Sequence, residues 1–253
     1  MLTMNRHYRH LACAGLVMFV SLPAISSDWT HYGGNRGGQQ FSPLAQINRS
    51  NVQQLEVAWQ YRSGELERRS EFGNATAKVQ VNPILLAEAA GGHLVLCSPF
   101  NRLIALDPTT GSERWVYDPE IRIGGYATED DPEGLKSPAF ANCRGVAYFE
   151  DEQADEDAAC RHRLLMNTHD LRLVAVDARD GKACADFGDA GTVGIEADVL
   201  SAEPPADIGE VKVATPPVVI NGVVVLGTVV RVRLIDSAPE GEGLASYGRR
   251  GEP

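Results

Sequence analysis

A chain of 253 residues of which 43% are hydrophobic has enough apolar material for an ordinary buried core, which excludes a disordered chain and leaves room for one or two domains. Its 34 acidic residues outnumber 23 basic ones, giving a formal charge of −11, and this balance excludes nucleic acid and anionic membrane as partners because both are polyanions. A neutral or cationic small molecule suits such a surface better.

Arg6 and Arg9 precede an apolar run from Leu11 to Ala24, which is followed by the small residues Ile25-Ser26-Ser27. A basic start, a short apolar stretch and an Ala24-x-Ser26 cleavage site predict a secretory signal peptide over residues 1–26, leaving 27–253 as the mature protein. An uncleaved anchor is the alternative, but the run falls short of the roughly 20 apolar residues that a span needs. Removal of the leader takes two arginines with it, so the mature charge is 21 − 34 = −13. Export predicts a periplasmic protein and makes disulfides possible among Cys97, Cys143, Cys160 and Cys184, with three connectivities open. No Cys/His spacing suggests zinc.

Helical signals are scarce. Ile47–Leu55 predicts one short turn or helix with Asn48 or Ser50 as its cap. Beyond it the chain reads as strand and loop. Arg102-Leu-Ile-Ala-Leu-Asp107-Pro-Thr-Thr-Gly111 is echoed by Arg172-Leu-Val-Ala-Val-Asp177-Ala-Arg-Asp-Gly181, with the glycines 181 − 111 = 70 residues apart. A third glycine, Gly251, stands another 70 residues on, behind Leu244-Ala245, but Tyr247 replaces the aspartate there. Each copy is a strand that ends in a turn where Asp caps backbone N–H groups and Gly takes a positive φ. Each follows another strand: His93–Ser98 after a Gly91-Gly92 turn, Arg163–Thr168, and Val223–Thr228 after Pro217–Ile220 and an Asn221-Gly222 turn.

A small antiparallel sheet repeated at this period predicts a β-propeller. A blade takes about 40–45 residues, so a longer repeat implies inserted loops. Two insertions stand out, Arg122–Ser137 and the acidic Glu150–Asp157, which lacks the alternating Asp/Asn and Gly of a calcium loop. There is no Gly-x-Ser-x-Gly elbow for Ser/His/Asp hydrolysis and no phosphate-binding glycine loop before a helix.

Ala105-Leu-Asp107-Pro-Thr-Thr110-Gly111-Ser-Glu-Arg-Trp115 fits A-x-D-x-x-T-G-x-x-x-W, the tryptophan-docking motif that joins neighbouring blades in quinoprotein dehydrogenases. Trp115 should cover the next blade while its indole N–H finds a backbone acceptor. Asp28-Trp29-Thr-His-Tyr32-Gly33-Gly34, Val95-Leu-Cys97-Ser-Pro-Phe100-Asn101-Arg102 and Cys143-Arg144-Gly145-Val-Ala-Tyr148 also resemble this pyrroloquinoline-quinone (PQQ) family, most nearly its glucose dehydrogenase branch.

The resemblance implies an all-β fold, a partial β-propeller of about three blades out of eight, with long inter-strand loops. It implies PQQ as cofactor with calcium as Lewis acid, a sugar or alcohol as substrate, and a respiratory quinone or cytochrome as electron acceptor. Carried over by motif, Arg144 would pair with a PQQ carboxylate. Thr168, Gln80 and Thr228 would hydrogen-bond the cofactor rim. Phe100 stands where glucose-oxidising members carry a histidine near the cofactor, which puts glucose as the substrate in doubt.

The family's catalytic Asp, its cofactor-contacting Lys and its calcium ligands come from later blades. The chain is therefore expected to be the N-terminal portion of such an enzyme and inactive alone, with open propeller faces prone to self-association. The alternative is a non-catalytic PQQ-repeat propeller acting as an assembly scaffold.

Overall fold

The computed structural model describes residues 29–72, 76–121, 140–195, 208–213 and 215–232, with backbone alone for Phe140, 208–213 and 228–232. The expected leader over 1–26, the expected insertion at 122–137 and the decayed repeat copy near Tyr247 and Gly251 lie outside them.

The first strand, β1 (Thr76–Val79), is followed by β2 (Ile84–Leu85), β3 (Leu94–Cys97), β4 (Leu103–Leu106) and β5 (Glu113–Tyr117). The last four form one antiparallel meander in the order β2-β3-β4-β5, the first blade. Strand β6 (Phe140–Cys143) runs parallel to β1 in a two-stranded ribbon, with Thr76 opposite Phe140 and Val79 opposite Cys143. The second blade comprises β7 (Ala147–Glu150), β8 (His162–Asn167), β9 (Arg172–Asp177) and β10 (Thr192–Gly194), again a sequential meander. Beyond it, β11 (Ile208–Val213) pairs with β14 (Thr228–Val232), and β12 (Val218–Ile220) with β13 (Val223–Val225). Two meanders of the same kind stacked face to face, followed by two two-stranded ribbons, make a partial propeller.

The repeat places the core. All four residues of β4 are buried, as are Leu173 to Asp177 of β9, because the inner strands of stacked sheets are covered on both faces. Ile84, Val95, Leu103 and Ala105 of the first blade form one cluster with Leu164, Met166, Val174 and Val176 of the second. Each fully buried aliphatic side chain stabilises such a cluster by roughly 1.5–3 kcal/mol. The repeat glycines both take positive φ, +70° at Gly111 and +74° at Gly181. In both turns the glycine N–H donates to the aspartate carbonyl at 2.9 Å.

The docking motif acts as its pattern predicts. Trp115, at the end of the first blade, lies against Gly181 of the second, so close that a Cβ there would stand 2.5 Å from the ring. Trp59 treats Gly111 in the same way and at the same distance. One expectation is corrected: the buried Trp115 Nε1 has no hydrogen-bond partner among the described residues, whereas Trp59 Nε1 donates to Pro108 O at 3.2 Å. The second blade carries no tryptophan key of its own, since Ala185 occupies the position equivalent to Trp115. There the Cys160–Cys184 disulfide and Phe187 belong to a cluster that Val219, Val224 and Leu226 of the next sheet pack against.

Two further expectations shift. The helical signal at Ile47–Leu55 reduces to a 3-10 turn at Val52–Gln54, with Asn48 Oδ1 accepting from Ser50 N instead of capping a helix. The single strand expected over Val223–Thr228 is two, because β13 pairs with β12 and β14 with β11. A helical segment with little sequence signal, α1 (Glu65–Arg68) continued by a 3-10 turn through Phe72, folds under the first blade. It is anchored there by a buried ion pair between Glu65 and Arg102 and by Phe72 stacked on Phe100 at 4.3 Å.

Candidate functional site

Both blades end their second strand in the same turn. Ser98 N donates to Arg102 O and Thr168 N to Arg172 O, each at 2.8 Å, and both hydroxyl oxygens accept the arginine N–H, at 3.0 Å from Ser98 and 3.1 Å from Thr168. Asn101 and Leu171 close these turns in the left-handed region, at φ +59° and +56°. The turns therefore lie at the same end of neighbouring sheets and bring Asn101 and His169 together. The end of β6 and the segment before β12 reach the same place, and together they enclose a polar cleft lined by Asn101, Asn142, Arg144, Asn167, His169 and Thr215.

The cleft is braced between blades. Asn101 Oδ1 accepts from His169 N at 2.9 Å, across 68 residues of sequence. Asn142 N donates to His169 Nε2 at 3.1 Å, and the same nitrogen lies 3.3 Å from the Pro99 carbonyl oxygen. Asp170 is engaged by the Arg172 guanidinium at 2.7 Å and by the Thr168 hydroxyl at 2.5 Å. Arg144 is exposed on the cleft, and its guanidinium has no partner among the described residues. No carboxylate is among the described residues lining the cleft, so its positive charge is suited to an anion and above all to a planar carboxylate.

Of the four residues picked out by motif, Arg144 and Thr168 line this cleft. Thr168 is only 1% exposed and its hydroxyl is taken up by Asp170 and Arg172, in the role that Ser98 has in the first blade. Gln80 stands one step away, its Oε1 accepting from Asn142 Nδ2 at 2.7 Å. Thr228 opens β14 next to Gly227, whose carbonyl accepts from the cleft residue Thr215 at 3.3 Å. Phe100 is fully buried against Phe72, Ile121 and Ala141 and does not line the cleft. The residues that motif reading passed over are Asn101, Asn142 and His169. Their signal was position: two sit in the repeated turns and the third lies two residues before Arg144.

A side-chain group with metal-ligand proximity, Cys160, Cys184 and Asp186, is not a ligand set, because the two sulfurs are bonded to each other.

Residues 29–251 match the family described as the glucose/ethanol/alcohol dehydrogenase β-propeller domain of PQQ proteins. The chain belongs to this PQQ propeller family. It is 34% identical over 208 residues to the quinoprotein glucose dehydrogenase of Escherichia coli (strain K12), covering 81% of this chain and 24% of that one. It is 35% identical to the glycerol dehydrogenase large subunit of Gluconobacter oxydans (strain 621H), covering 81% and 25%. Among solved structures, the quinohemoprotein alcohol dehydrogenase ADHIIG of Pseudomonas putida HK5 superposes with a TM-score of 0.51 at 24% identity, over 80% of this chain and 23% of that one. The chain thus spans about a quarter of the length of these PQQ-family relatives.

Proposed function

We propose that this chain forms one wall of the PQQ site of a periplasmic dehydrogenase acting on a sugar or alcohol, and that it binds the cofactor without turning substrate over by itself. The observation that carries this reading is Arg144, a guanidinium without a described partner at a cleft whose other lining groups are mostly amides, hydroxyls and an imidazole. That donor set fits a polycarboxylate. Arg144 would hold a carboxylate of PQQ, Asn142 and Gln80 would offer amide contacts to its rim, and the buried turn at Thr168 would fix the wall behind it. When bound, PQQ supplies the acceptor for the hydride removed from a carbinol carbon, and calcium is the Lewis acid expected beside it.

The lack of turnover rests on the titratable groups in the cleft. Proton abstraction from a hydroxyl needs a free base, and among the described residues lining the cleft the one candidate, His169, has its Nε2 occupied by the Asn142 N–H. Two buried disulfides support export to an oxidising compartment, as does the basic-then-apolar pattern of residues 1–26. N-terminal sequencing of the exported protein should start at Ser27.

The test is a PQQ titration of the oxidised chain with calcium present, followed by cofactor absorbance, together with a dye-reduction assay on aldoses and alcohols. Saturable binding that Arg144→Gln weakens about tenfold or more, without turnover, is expected. Absence of binding would remove the cofactor reading and leave the scaffold reading. Turnover would remove the inactivity.

A further inference from the structure

Arg144 sits at the end of a weak element. Its strand, β6, has four residues and among the described strands pairs with β1 alone, in a two-stranded parallel ribbon whose β1 side is largely exposed. Such ribbons are marginal on their own. Yet three consecutive residues here are held by three different parts of the fold. The Asn142 N–H donates to His169 of the second blade at 3.1 Å. Cys143 is bonded to Cys97 at the end of β3, in the first blade's core. The Arg144 carbonyl accepts from Asn82 N, between β1 and β2, at 3.1 Å. Two of these ties are single hydrogen bonds, and the one between them is covalent.

Resting on the reading of the cleft as a carboxylate site, we propose that the Cys97–Cys143 disulfide is the positioning element for Arg144. It joins the strand end that carries the guanidinium to the first blade, so that the charge meets an anionic ligand already in place. Binding then does not have to order the β6 end as well, and a preorganised contact loses less affinity to ordering. The bond joins residues 46 apart, in separate sheets, and no described strand pairing connects β3 to β6. The other disulfide, Cys160–Cys184, ties the segment before β8 to the one after β9 inside a single blade and touches no cleft residue. It is a built-in control. Cys97 is 1% and Cys143 6% exposed, so the bond is a constitutive brace shielded from reductant and not a redox switch.

The experiment compares the oxidised full chain with Cys97→Ser/Cys143→Ser, with the better-filling Cys97→Ala/Cys143→Val in case the first fails to fold, and with Cys160→Ser/Cys184→Ser. Each is made with Arg144 and with Arg144→Gln. Two readouts are used: PQQ affinity, and hydrogen exchange of the amides from 141 to 145. Loss of the first disulfide is expected to lower PQQ affinity about tenfold and to leave Arg144→Gln with less than about a threefold further effect, because a loose arginine has little left to lose. Loss of the second should keep the full Arg144 dependence. A Cys97/Cys143 variant that retains the whole Arg144 effect overturns the proposal. If the wild-type chain takes no PQQ, the cofactor reading fails, and exchange decides the brace separately: faster exchange confined to 141–145 supports it, and unchanged exchange overturns it.

Discussion

Trp115 and Gly181 lie in successive blades, and the indole approaches the glycine so closely that no side chain fits between them. Gly181 also holds φ at +74°, where a Cβ is strained whatever the space. Gly181→Ala should therefore cost about 2–4 kcal/mol through overpacking and backbone strain together, read as a fall in urea midpoint. Gly111→Ala should cost a similar amount, since Trp59 meets Gly111 at the same 2.5 Å.

The two tryptophans differ in one hydrogen bond. Trp59 Nε1 donates to Pro108 O, while Trp115 Nε1 is buried without an acceptor among the described residues. Tryptophan to phenylalanine removes the same ring area at both sites, so the difference isolates the N–H. Trp59→Phe is expected to cost about 1 kcal/mol more than Trp115→Phe, because only the first loses a made bond and the second sheds an unmet donor. Equal costs from denaturant melts would mean that Trp115 finds a partner in solution.

Stability should fall in acid through the turn aspartates. Backbone N–H donation from Thr110, then the Arg114 guanidinium, hold Asp107 down to a pKa of about 2. Burial alone would push Asp177 up, but hydrogen bonds from the Arg179 guanidinium and from the Cys160 and Arg179 N–H groups outweigh it and bring it below the usual carboxylate range. A pKa lower in the folded state than in the unfolded chain gives stabilisation that is complete above about pH 4 and lost as pH falls toward the folded value. Unfolding free energy measured from pH 5 to 2 should decline for the wild type and run flatter for Asp107→Asn/Asp177→Asn.

The disulfides close loops of different span, 46 residues for Cys97–Cys143 and 24 for Cys160–Cys184. Loop-closure entropy gives each a contribution of between about 3 and 5 kcal/mol, larger for the longer loop. Cys160→Ala/Cys184→Ala should lower Tm less than the pair at Cys97 and Cys143, as differential scanning calorimetry would show.

Much of the sheet architecture could be read from residues that act locally. The Asp-x-x-x-Gly turns, the Asn221-Gly222 hairpin and Trp115's motif all depend on neighbours within about ten positions, and all stand where their chemistry put them. Trp59 escaped because nothing around it spells a turn; its partner is Gly111. The β1–β6 ribbon escaped for the same reason, since Thr76 and Phe140 are joined only through the tertiary fold. At the site, Arg144 could be found by type and motif. The commitment of Thr168 to its own turn could not be foreseen from Asn167-Thr-His-Asp170, because it depends on where Asp170 and Arg172 turn their side chains.

Trp59 and Gly111 are 111 − 59 = 52 residues apart, while Trp115 and Gly181 are 181 − 115 = 66 apart. Both pairs nevertheless close to the same distance. The seat of a ring on a bare backbone is therefore the same contact whatever the length of chain in between. Intervening segments are free to lengthen, shorten or acquire charge, as the acidic run at Glu150–Asp157 has, without altering that contact. Diversity in such a protein can accumulate in its loops while the seat of its rings stays constant.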